Sequence, residues 1–572
     1  MATTASSMRH DFVIIGAGPA GAVIATRLAN SPKKPSVLLI EAGGANEDVN
    51  NRMLTHKYIH STVPGLHYDY KSEPNPHING RCAGVVRGRG LGGSSAVNYS
   101  VWTEGAKADW DYMARWTGDD TWRWERVKER FNKLTTHHCK YPDVRPEYQA
   151  YIGQTEGNYG TSGPIHLGYP EEPEQEILDL AYVADACGLP FRPEANNGTM
   201  DGAYVIPDAT WRGTRSTAAD ILFDHPDNLE IVLETPVARV LLEGERAVGV
   251  KTVDGRVFHA DKEVIVCAGT MDSPKILMHS GIGPEDQLSK FGIPVARANA
   301  NVGRNYQDHP LGCMIFRATE EMTKRPAFFR DEAARKKALR DWQLRRTGPY
   351  ASIGGTLVLG FSRPEKLMAS AELAALPEQE RAFLSGTDTP MYELGLGFPW
   401  FDYFFDPQNA TPTFIVFMVL QHVQGRGQFS LKSADPSEPL CFETGMFSHE
   451  FDRRHAIETT RHALALIRKG DFPKYYDGNI SVPASESDED ILDFWRQTGD
   501  TCSHASSTCR MGRREVEDEA VVDTEFRVYG FRNLRVADNS IHPYCPSGHT
   551  QTHAYQVGEI AAEKLIAQYE LK

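Results

Sequence analysis

The sequence lacks the features that define several large classes of protein. Its 572 residues include 61 basic and 76 acidic side chains, a formal net charge of −15, and no long basic run offsets the acidic excess. We therefore expect no nucleic-acid partner, because binding to phosphate backbones requires clustered lysine and arginine. The most apolar window, residues 413–420, is far shorter than the roughly 18 residues that cross a bilayer, so we also expect no membrane partner.

Cysteine is scarce and scattered. The nine cysteines include no Cys-x-x-Cys pair, which argues against a zinc site or a disulfide framework and favours reduced thiols. Residues 1–10 contain no apolar core of a signal peptide, so the expected location is cytoplasmic. Secretion stays open, because Asn-x-Ser/Thr occurs at Asn98, Asn197, Asn409 and Asn479.

The first 44 residues contain the pattern of a dinucleotide-binding unit. Residues 12–15 form a short apolar run that predicts a buried strand. Gly16, Gly18 and Gly21 follow it as Gly-x-Gly-x-x-Gly. This spacing provides a tight turn, lets the backbone approach a pyrophosphate and packs a helix closely on the strand.

A helix, a second strand and an acidic residue complete this unit. Residues 20–28 predict the helix, whose N-terminus directs N–H groups toward phosphates. Residues 37–40 predict the second strand, which ends at Glu41. Because Glu41 follows Gly21 by about 20 residues, it stands where a carboxylate binds an unphosphorylated ribose. The pattern favours FAD or NAD over NADP.

A second glycine-rich segment, residues 87–99, reads RGRGLGGSSAVNY. Small residues here would bring backbone N–H groups against a ligand. With this segment the chain resembles the glucose–methanol–choline (GMC) flavin oxidoreductases, whose first signature has the same Gly-Gly-Ser-Ser-x-x-Asn core. The resemblance continues in family order through residues 213–216, 228–240, 263–269, 273–283 and 302–309.

The resemblance implies a set of residues that hold FAD. Val237 matches a position that contacts the adenine half of FAD in relatives, and residues 533–540 match a strand that ends at the flavin. The complete set is Gly16, Gly18, Pro19, Ala20, Gly21, Glu41, Ala42, Arg87, Gly92, Gly93, Ser94, Asn98, Tyr99, Val237, Ala268, Gly269, Asp538, Asn539, Gly548 and Thr550.

Residues 316–495 break the alternation of strands and helices. Charged helical sequence at 331–346 precedes alternating apolar segments at 414–420 and 427–432, which predicts an antiparallel sheet backed by helices. The aromatic cluster at 398–405 fits either a plain core or the wall of an apolar substrate pocket.

We therefore expect an α/β chain, α+β overall, with a Rossmann-type FAD-binding domain and an interleaved substrate domain of antiparallel sheet and helices. The expected FAD-binding parts are 1–160, 201–315 and 496–572. The expected substrate parts are 161–200 and 316–495.

The C-terminal 80 residues contain two candidate catalytic histidines. Residues 504–511 resemble the family's His-x-x-Gly-Thr-Cys-x-Met segment, except that Ser507 replaces the usual glycine. His549 stands at the second position of the family pair, which relatives fill with His or Asn. By resemblance His504 is the base that takes the hydroxyl proton of an alcohol, and His549 orients the same oxygen.

Departures from subfamily patterns narrow the expectation. The fatty-acid photodecarboxylase branch has a cysteine where this chain has Gln421, so that activity is disfavoured. Tyr99 and residues 114–124 resemble aryl-alcohol oxidases. Ser503, however, stands where that branch has a bulky aromatic residue.

The sequence thus predicts FAD-dependent oxidation of a small or aromatic primary alcohol to the aldehyde, with hydride passing to flavin N5 and reoxidation by O2, forming H2O2, or by another acceptor. Two alternatives stay open. One is a member of the same fold that uses FAD for non-redox cyclase or lyase chemistry, and the other is a flavin-binding protein without catalysis.

We expect the FAD to be noncovalent. Relatives that attach flavin through histidine carry that residue just after the Gly-Gly-x-Ser core, where this chain has Ala96 and Val97. After acid denaturation and centrifugation, the yellow colour should stay in the supernatant. Flavin that sediments with the polypeptide would contradict the expectation.

Overall fold

The structure, a computed structural model, describes residues 9–138, 146, 158–170, 172–398 and 402–572. Residues 399–401 of the aromatic cluster, Cys139 and residues 1–8 of the N-terminal segment lie outside the described residues. The rest of the chain is built on two large sheets.

The strands of the first sheet, numbered in chain order, are β1 (Arg9–Ile15), β2 (Val37–Ile40), β10 (Leu229–Val232), β11 (Val237–Glu243), β12 (Arg246–Thr252), β13 (Val257–Val266) and β25 (Leu534–Val536). Their order across the sheet is β10-β2-β1-β13-β12-β11. β2 pairs in parallel with both β1 and β10, and β1 also pairs in parallel with β13. The other edge of β13 is shared by β12, which is antiparallel, and β25, which is parallel.

The apolar runs that predict β1 and β2 are buried where the two strands pair, as expected for parallel strands in the interior of a sheet. The helix predicted at 20–28 is observed as α1 (Pro19–Ala29). It packs beside the closing helix, Gln551–Gln568, at a close approach: a Cβ on Gly558 would stand 2.7 Å from the carbonyl oxygen of Ala20.

The strands of the second sheet are β7 (Ala203–Val205), β17 (Pro310–Ala318), β18 (Val358–Ser362), β19 (Tyr392–Leu396), β20 (Thr413–Leu420), β23 (Tyr476–Ser481) and β24 (Asp500–Thr501). The sheet is antiparallel, with the order β23-β17-β20-β19-β18-β7, and β24 lies beside β23 on the edge of β17. One apolar face of its interior strands packs against the helix Glu450–Ile467 and its neighbours in a second core.

Short strands form small sheets around these two. They are β3 (His67–Lys71) with β4 (Gly84–Gly88), β5 (Thr135–His137) with β6 (Ile165–Leu167), β8 (Thr210–Trp211) with β9 (Thr214–Arg215), β14 (Ile282–Gly283) with β15 (Arg297–Ala298), and β16 (Arg304–Tyr306) with β21 (Gly427–Ser430) and β22 (Cys441–Glu443).

The remaining α-helices, numbered after α1, are α2 (Lys107–Thr117), α3 (Trp124–Leu134), α4 (Gln175–Ala186), α5 (Gly269–His279), α6 (Glu285–Lys290), α7 (Lys324–Arg330), α8 (Glu332–Arg345), α9 (Glu365–Met368), α10 (Ala371–Ala374), α11 (Glu378–Leu384), α12 (Asp402–Phe405), α13 (Glu450–Ile467), α14 (Asp488–Thr498) and α15 (Gln551–Gln568). Within the described ranges, none of these helices has the length and apolar character that crossing a bilayer requires.

The mixed α/β fold class is confirmed. The expected divisions at 200, 315 and 495 stay predictions, and a strand of the second sheet lies close to each of them. β7, from the segment expected in the FAD-binding domain, adds to the edge of the second sheet, and β24 adds to β17 just after residue 495. The expected division at 315 falls inside β17. Edge strands extend a sheet through backbone hydrogen bonds, which leave little trace in side-chain pattern.

Several buried histidines make stability depend on pH. Burial lowers the pKa of His455, on α13, to about 3. The unfolded chain takes up a proton near pH 6.5 and the folded chain does not until about pH 3, so this histidine removes stability as pH falls below 6.5. The loss is about 1.4 kcal/mol per pH unit.

We expect His455→Leu to narrow the difference in melting temperature between pH 7.5 and pH 5, whatever its effect at pH 7.5 alone. The measurement is thermal unfolding followed by intrinsic fluorescence at both pH values. A variant whose melting temperature falls as far as that of the wild type on acidification would show that His455 does not contribute this dependence.

Candidate functional site

One large cavity of about 690 Å³ lies at the carboxyl ends of β1, β2 and β13 and extends to the second sheet. Its two ends differ in chemistry. Backbone of the glycine-rich turns lines one end, and His504 and His549 line the other. In a sheet of this kind, ligands bind outside the carboxyl ends of the parallel strands, so the cavity lies where the fold places a cofactor.

The glycines of the first motif make this end of the cavity possible. Gly16 has φ of +102°, and a Cβ there would stand 2.4 Å from the carbonyl oxygen of Cys267. A Cβ on Gly21 would stand 1.9 Å from the carbonyl oxygen of Gly16. Gly18 precedes α1 without a side-chain cap, so the first N–H groups of the helix stay available to a phosphate. These observations fit a bound dinucleotide.

The second glycine-rich segment packs directly on the first. A Cβ on Gly93, which has φ of +52°, would stand 2.7 Å from the Cα of Gly18. A Cβ on Gly88 would stand 2.0 Å from the carbonyl oxygen of Gly93. Substitution of Gly93 would push the two turns apart, and substitution of Gly88 would distort the second turn itself, so both positions require glycine.

Glu41 lies on the cavity wall but is also bound by the protein. Its Oε2 accepts a hydrogen bond from Ala17 N at 2.8 Å, and its Oε1 accepts from Gly43 N and Gly90 N, each at 2.9 Å. The carboxylate therefore ties β2 to both glycine-rich turns. Burial raises its pKa, and the three N–H donors oppose that shift. Glu41 also lines the cavity, where its carboxylate can accept from a ribose hydroxyl.

Most of the other residues assigned to FAD also lie on the cavity wall. Asp538 caps α5 by accepting from Gly269 N and Ser273 Oγ, and Asn98 is held by Arg215 and Gln551. The assigned residues on the wall are Gly16, Gly18, Pro19, Ala20, Glu41, Ala42, Arg87, Gly93, Ser94, Asn98, Tyr99, Val237, Ala268, Gly269, Asp538, Asn539 and Thr550.

Three assigned glycines lie just behind the wall. Gly21 packs α1 on the first turn, Gly92 faces Thr217, and Gly548 faces Thr103 and donates its N–H to Gln421 Oε1. They shape the backbone that holds the neighbouring wall residues.

The two candidate catalytic histidines face each other, with ring centroids 4.9 Å apart and ring planes at 63°. His504 follows β24, and its main chain is fixed because Asp308 Oδ1 accepts from His504 N at 2.7 Å. Its Nε2 lies 3.8 Å from Cys502 Sγ at the cavity wall. His549 precedes α15, and its N–H donates to Thr103 Oγ1 at 2.8 Å.

Each histidine ring contacts a residue on or directly before a strand of the second sheet. His309 Nδ1 lies 3.0 Å from Nδ1 of His504, and Glu393 Oε1 lies 3.0 Å from Nε2 of His549. His309 is fully buried, and Glu393 is 2% exposed. Each contact involves one nitrogen of the ring, and both histidines line the cavity.

The register of the second sheet explains why His309 and Glu393 act together. Leu311 on β17 and Glu393 on β19 both pair with Val419 on β20, so all three side chains lie on one face. His309, two residues before Leu311, lies on the same face because side chains alternate along a strand. Leu311 itself lines the cavity, so this is the face that closes it.

The site keeps His504 neutral. Burial, followed by the positive charge that His549 can carry, holds the pKa of His504 well below its usual range. A neutral imidazole in a cavity is able to accept a proton.

Ser507, where relatives have glycine, has φ of +77°. This is the left-handed region that favours glycine, so the chain retains the backbone conformation without the residue suited to it. Its N–H donates to the carbonyl oxygen of Asn539 at 3.2 Å, which holds the turn after His504 against the loop before His549.

The sequence reasoning missed Glu393 and the role of His309. His309 ends the 302–309 segment that resembles the family, and that match could have suggested it. Glu393 lies in an apolar strand, where a single acidic residue among YELGL was the available signal.

Comparison with known proteins gives a consistent result. The GMC oxidoreductase family matches over residues 10–311 for its N-terminal region and 423–558 for its C-terminal region. The dehydrogenase pkfF of Emericella nidulans is 30% identical over 97% of this chain and 92% of its own length. The oxygen-dependent choline dehydrogenase of Pectobacterium carotovorum is 30% identical over 98% of this chain and 95% of its own length.

Solved structures agree on the fold. A formate oxidase superposes with a TM-score of 0.87 at 27% identity, covering 100% of both chains. A fungal aryl-alcohol oxidase superposes with a TM-score of 0.84 at 24% identity, covering 98% of this chain and 99% of its own.

We expect Glu41→Ala to weaken FAD binding by about 10- to 100-fold, since a hydrogen bond to a charged group contributes about 1.5–3 kcal/mol. Glu41→Gln, which keeps one carbonyl oxygen as an acceptor, should fall between the wild type and the alanine variant. The measurement is the dissociation constant of FAD from reconstituted apoprotein. Glu243→Ala, at an exposed carboxylate on β11, is the matched control. An unchanged constant in Glu41→Ala would contradict the assignment.

Proposed function

This chain belongs to the GMC oxidoreductase family, FAD-dependent enzymes that act on CH–OH donors, and we propose that it oxidises a small or aromatic primary alcohol to the aldehyde with His504 as the base. The observation that carries the proposal is the pair of histidine rings facing each other, 4.9 Å apart, at the end of the cavity that shares its wall with the cofactor-binding turns. FAD, when bound, supplies the acceptor for the hydride that leaves the carbinol carbon.

The chain's own part begins with the hydroxyl proton. Negative charge must develop on the alcohol oxygen as the hydride leaves, so a base has to remove that proton. His504 is neutral because burial lowers its pKa, and its Nε2 lies at the cavity wall. Such a base contributes about 10²- to 10⁴-fold in rate.

His549 holds the same oxygen from the other side. With Nε2 donating to the Glu393 carboxylate, its Nδ1 is the ring nitrogen that is left for the substrate. Glu393 both fixes the ring and stabilises the positive charge that His549 carries when it is protonated. A protonated His549 would donate to the developing alkoxide.

The walls beside the histidines favour an uncharged substrate. Tyr99, Val101 and Leu311 contribute apolar surface, and Cys502 contributes a thiol whose pKa is raised well above its usual range by burial. A neutral alcohol can be desolvated there at less cost than an ion.

An anaerobic screen tests the substrate class. Benzyl alcohol and short primary alcohols should bleach the yellow flavin of the holoenzyme. Choline and formate, the compounds in the names of two similar proteins, serve as comparators. Bleaching by these comparators and not by neutral alcohols would overturn the proposed class. Absence of bleaching together with product formation from another substrate would favour the non-redox alternative.

We expect His504→Ala to slow anaerobic flavin reduction by about 10² or more while FAD stays bound. His549→Ala should also slow it, and His549→Asn should retain more activity because an amide can still hydrogen-bond the oxygen. In the wild type the rate should rise with pH, with the midpoint on the acid side of 6.5, because the pKa of His504 is lowered.

Stopped-flow absorbance of the flavin measures these rates, and His259→Gln, at a histidine on β13 outside the cavity, is the matched control. Reduction of the His504→Ala enzyme at the wild-type rate would show that another group is the base.

A further inference from the structure

A third histidine, His309, contacts the ring of His504. The contact between the two Nδ1 atoms, 3.0 Å long with ring planes at 87°, is the hydrogen bond that His504 makes on the side away from the cavity. A neutral imidazole carries its proton on one nitrogen only. His504 can accept a proton at Nε2 only while its own proton is on Nδ1, and that N–H then needs an acceptor.

His309 is suited to be that acceptor. Burial lowers the pKa of His309 to about 3, so the ring stays neutral at any pH at which the enzyme would work. A neutral partner does not compete for the proton that His504 takes up. Its acceptor nitrogen also remains in place for the Nδ1–H of the imidazolium that His504 becomes, where a charged donor makes a stronger hydrogen bond.

One carboxylate sets the spacing of the two rings. Asp308 Oδ1 accepts from both His309 N at 2.8 Å and His504 N at 2.7 Å. The carbonyl oxygen of His309 in turn accepts from Cys502 N at 2.9 Å. The backbones that carry the two histidines are therefore joined on both sides of the ring contact, so their rings meet without a long, flexible connection.

We propose that His309 is a positioning residue that holds His504 in the tautomer with its proton on Nδ1 and its lone pair on Nε2, facing the cavity. The proposal rests on the proposed role of His504 as the base. Without the acceptor, His504 would also populate the form with its proton on Nε2, which cannot take a proton from the substrate.

The other charged and titratable groups around His504 are present in every His309 variant, so the variants differ from the wild type only at residue 309. These groups are Asp308 directly before β17, Arg87 on β4, Cys502 directly after β24, Cys545 and His549 in the loop before α15, and His553 on α15.

Two substitutions separate hydrogen bonding from packing. His309→Leu fills much of the same space without an acceptor, and His309→Asn places an amide oxygen close to the position of Nδ1. His455→Leu, at a fully buried histidine on α13 outside the site, is the control for removing a buried imidazole.

The first measurement does not depend on turnover. Long-range ¹H–¹⁵N correlation spectra of holoenzyme labelled with ¹⁵N-histidine report which nitrogen of each ring is protonated, and the signals of His504 are assigned by their absence in His504→Gln. We expect the Nδ1–H form in the wild type, in His309→Asn and in His455→Leu, and the Nε2–H form to appear in His309→Leu. A wild-type His504 in the Nε2–H form would overturn the proposal.

The second measurement is anaerobic flavin reduction against pH. His309→Leu should lower the plateau rate by about 10- to 100-fold. It should also shift the rising limb to lower pH, because an imidazolium without its acceptor loses its proton more readily. His309→Asn should stay within about threefold of the wild type, since it keeps the acceptor.

Equal losses in the leucine and asparagine variants would show that His309 acts through packing alone and would overturn the proposal. The two proposals fail separately. If His504→Ala reduces its flavin at the wild-type rate, the proposal that His504 is the base is wrong. If His504→Ala is slow but His309→Leu is unaffected, only the proposed role of His309 is wrong.

Discussion

Hydrogen bonds that cross from the second sheet to the two cavity histidines are the interactions on which the rest of the site depends. His504 and His549 lie on loops of the C-terminal segment, and loops alone do not hold an imidazole in one orientation. His309 lies directly before β17 and Glu393 lies on β19, on a single face of the antiparallel sheet. The site therefore exists only where the two halves of the molecule meet.

The two contacts differ in charge, because the partner of His549 is a carboxylate and the partner of His504 is an imidazole. Burial, together with the positive charge that nearby side chains can carry, lowers the pKa of His504. The proposed mechanism needs one ring that accepts a proton and another that holds the same oxygen. The unlike surroundings of His504 and His549 fit that division.

Burial of the histidines lowers the stability of the fold in acid, because uncharged histidines at the centre of the molecule take up protons when the chain unfolds. Burial also raises the pKa of Asp308 to about 7. Asp308 therefore acts in the opposite sense, because the folded chain holds its proton more firmly and gains stability as pH falls below 7. A hydrogen-bonded polar centre of this kind specifies one arrangement, since each partner that is removed leaves another buried polar group unsatisfied.

Much of the cofactor end of the molecule could be predicted from the sequence alone, because it is encoded by local spacing. The bounds of β2 match those predicted, and α1 differs by one residue at each end. Gly16 and Gly21 occupy positions where a Cβ would collide with the backbone, and Glu41 accepts hydrogen bonds from both glycine-rich turns. The residues behind the histidines were decided only by tertiary structure. Glu393 lies 156 residues from His549, and His309 lies 195 residues from His504. No periodicity connects positions so far apart, and only the register of the antiparallel strands places Leu311, His309 and Glu393 on one face against the cavity.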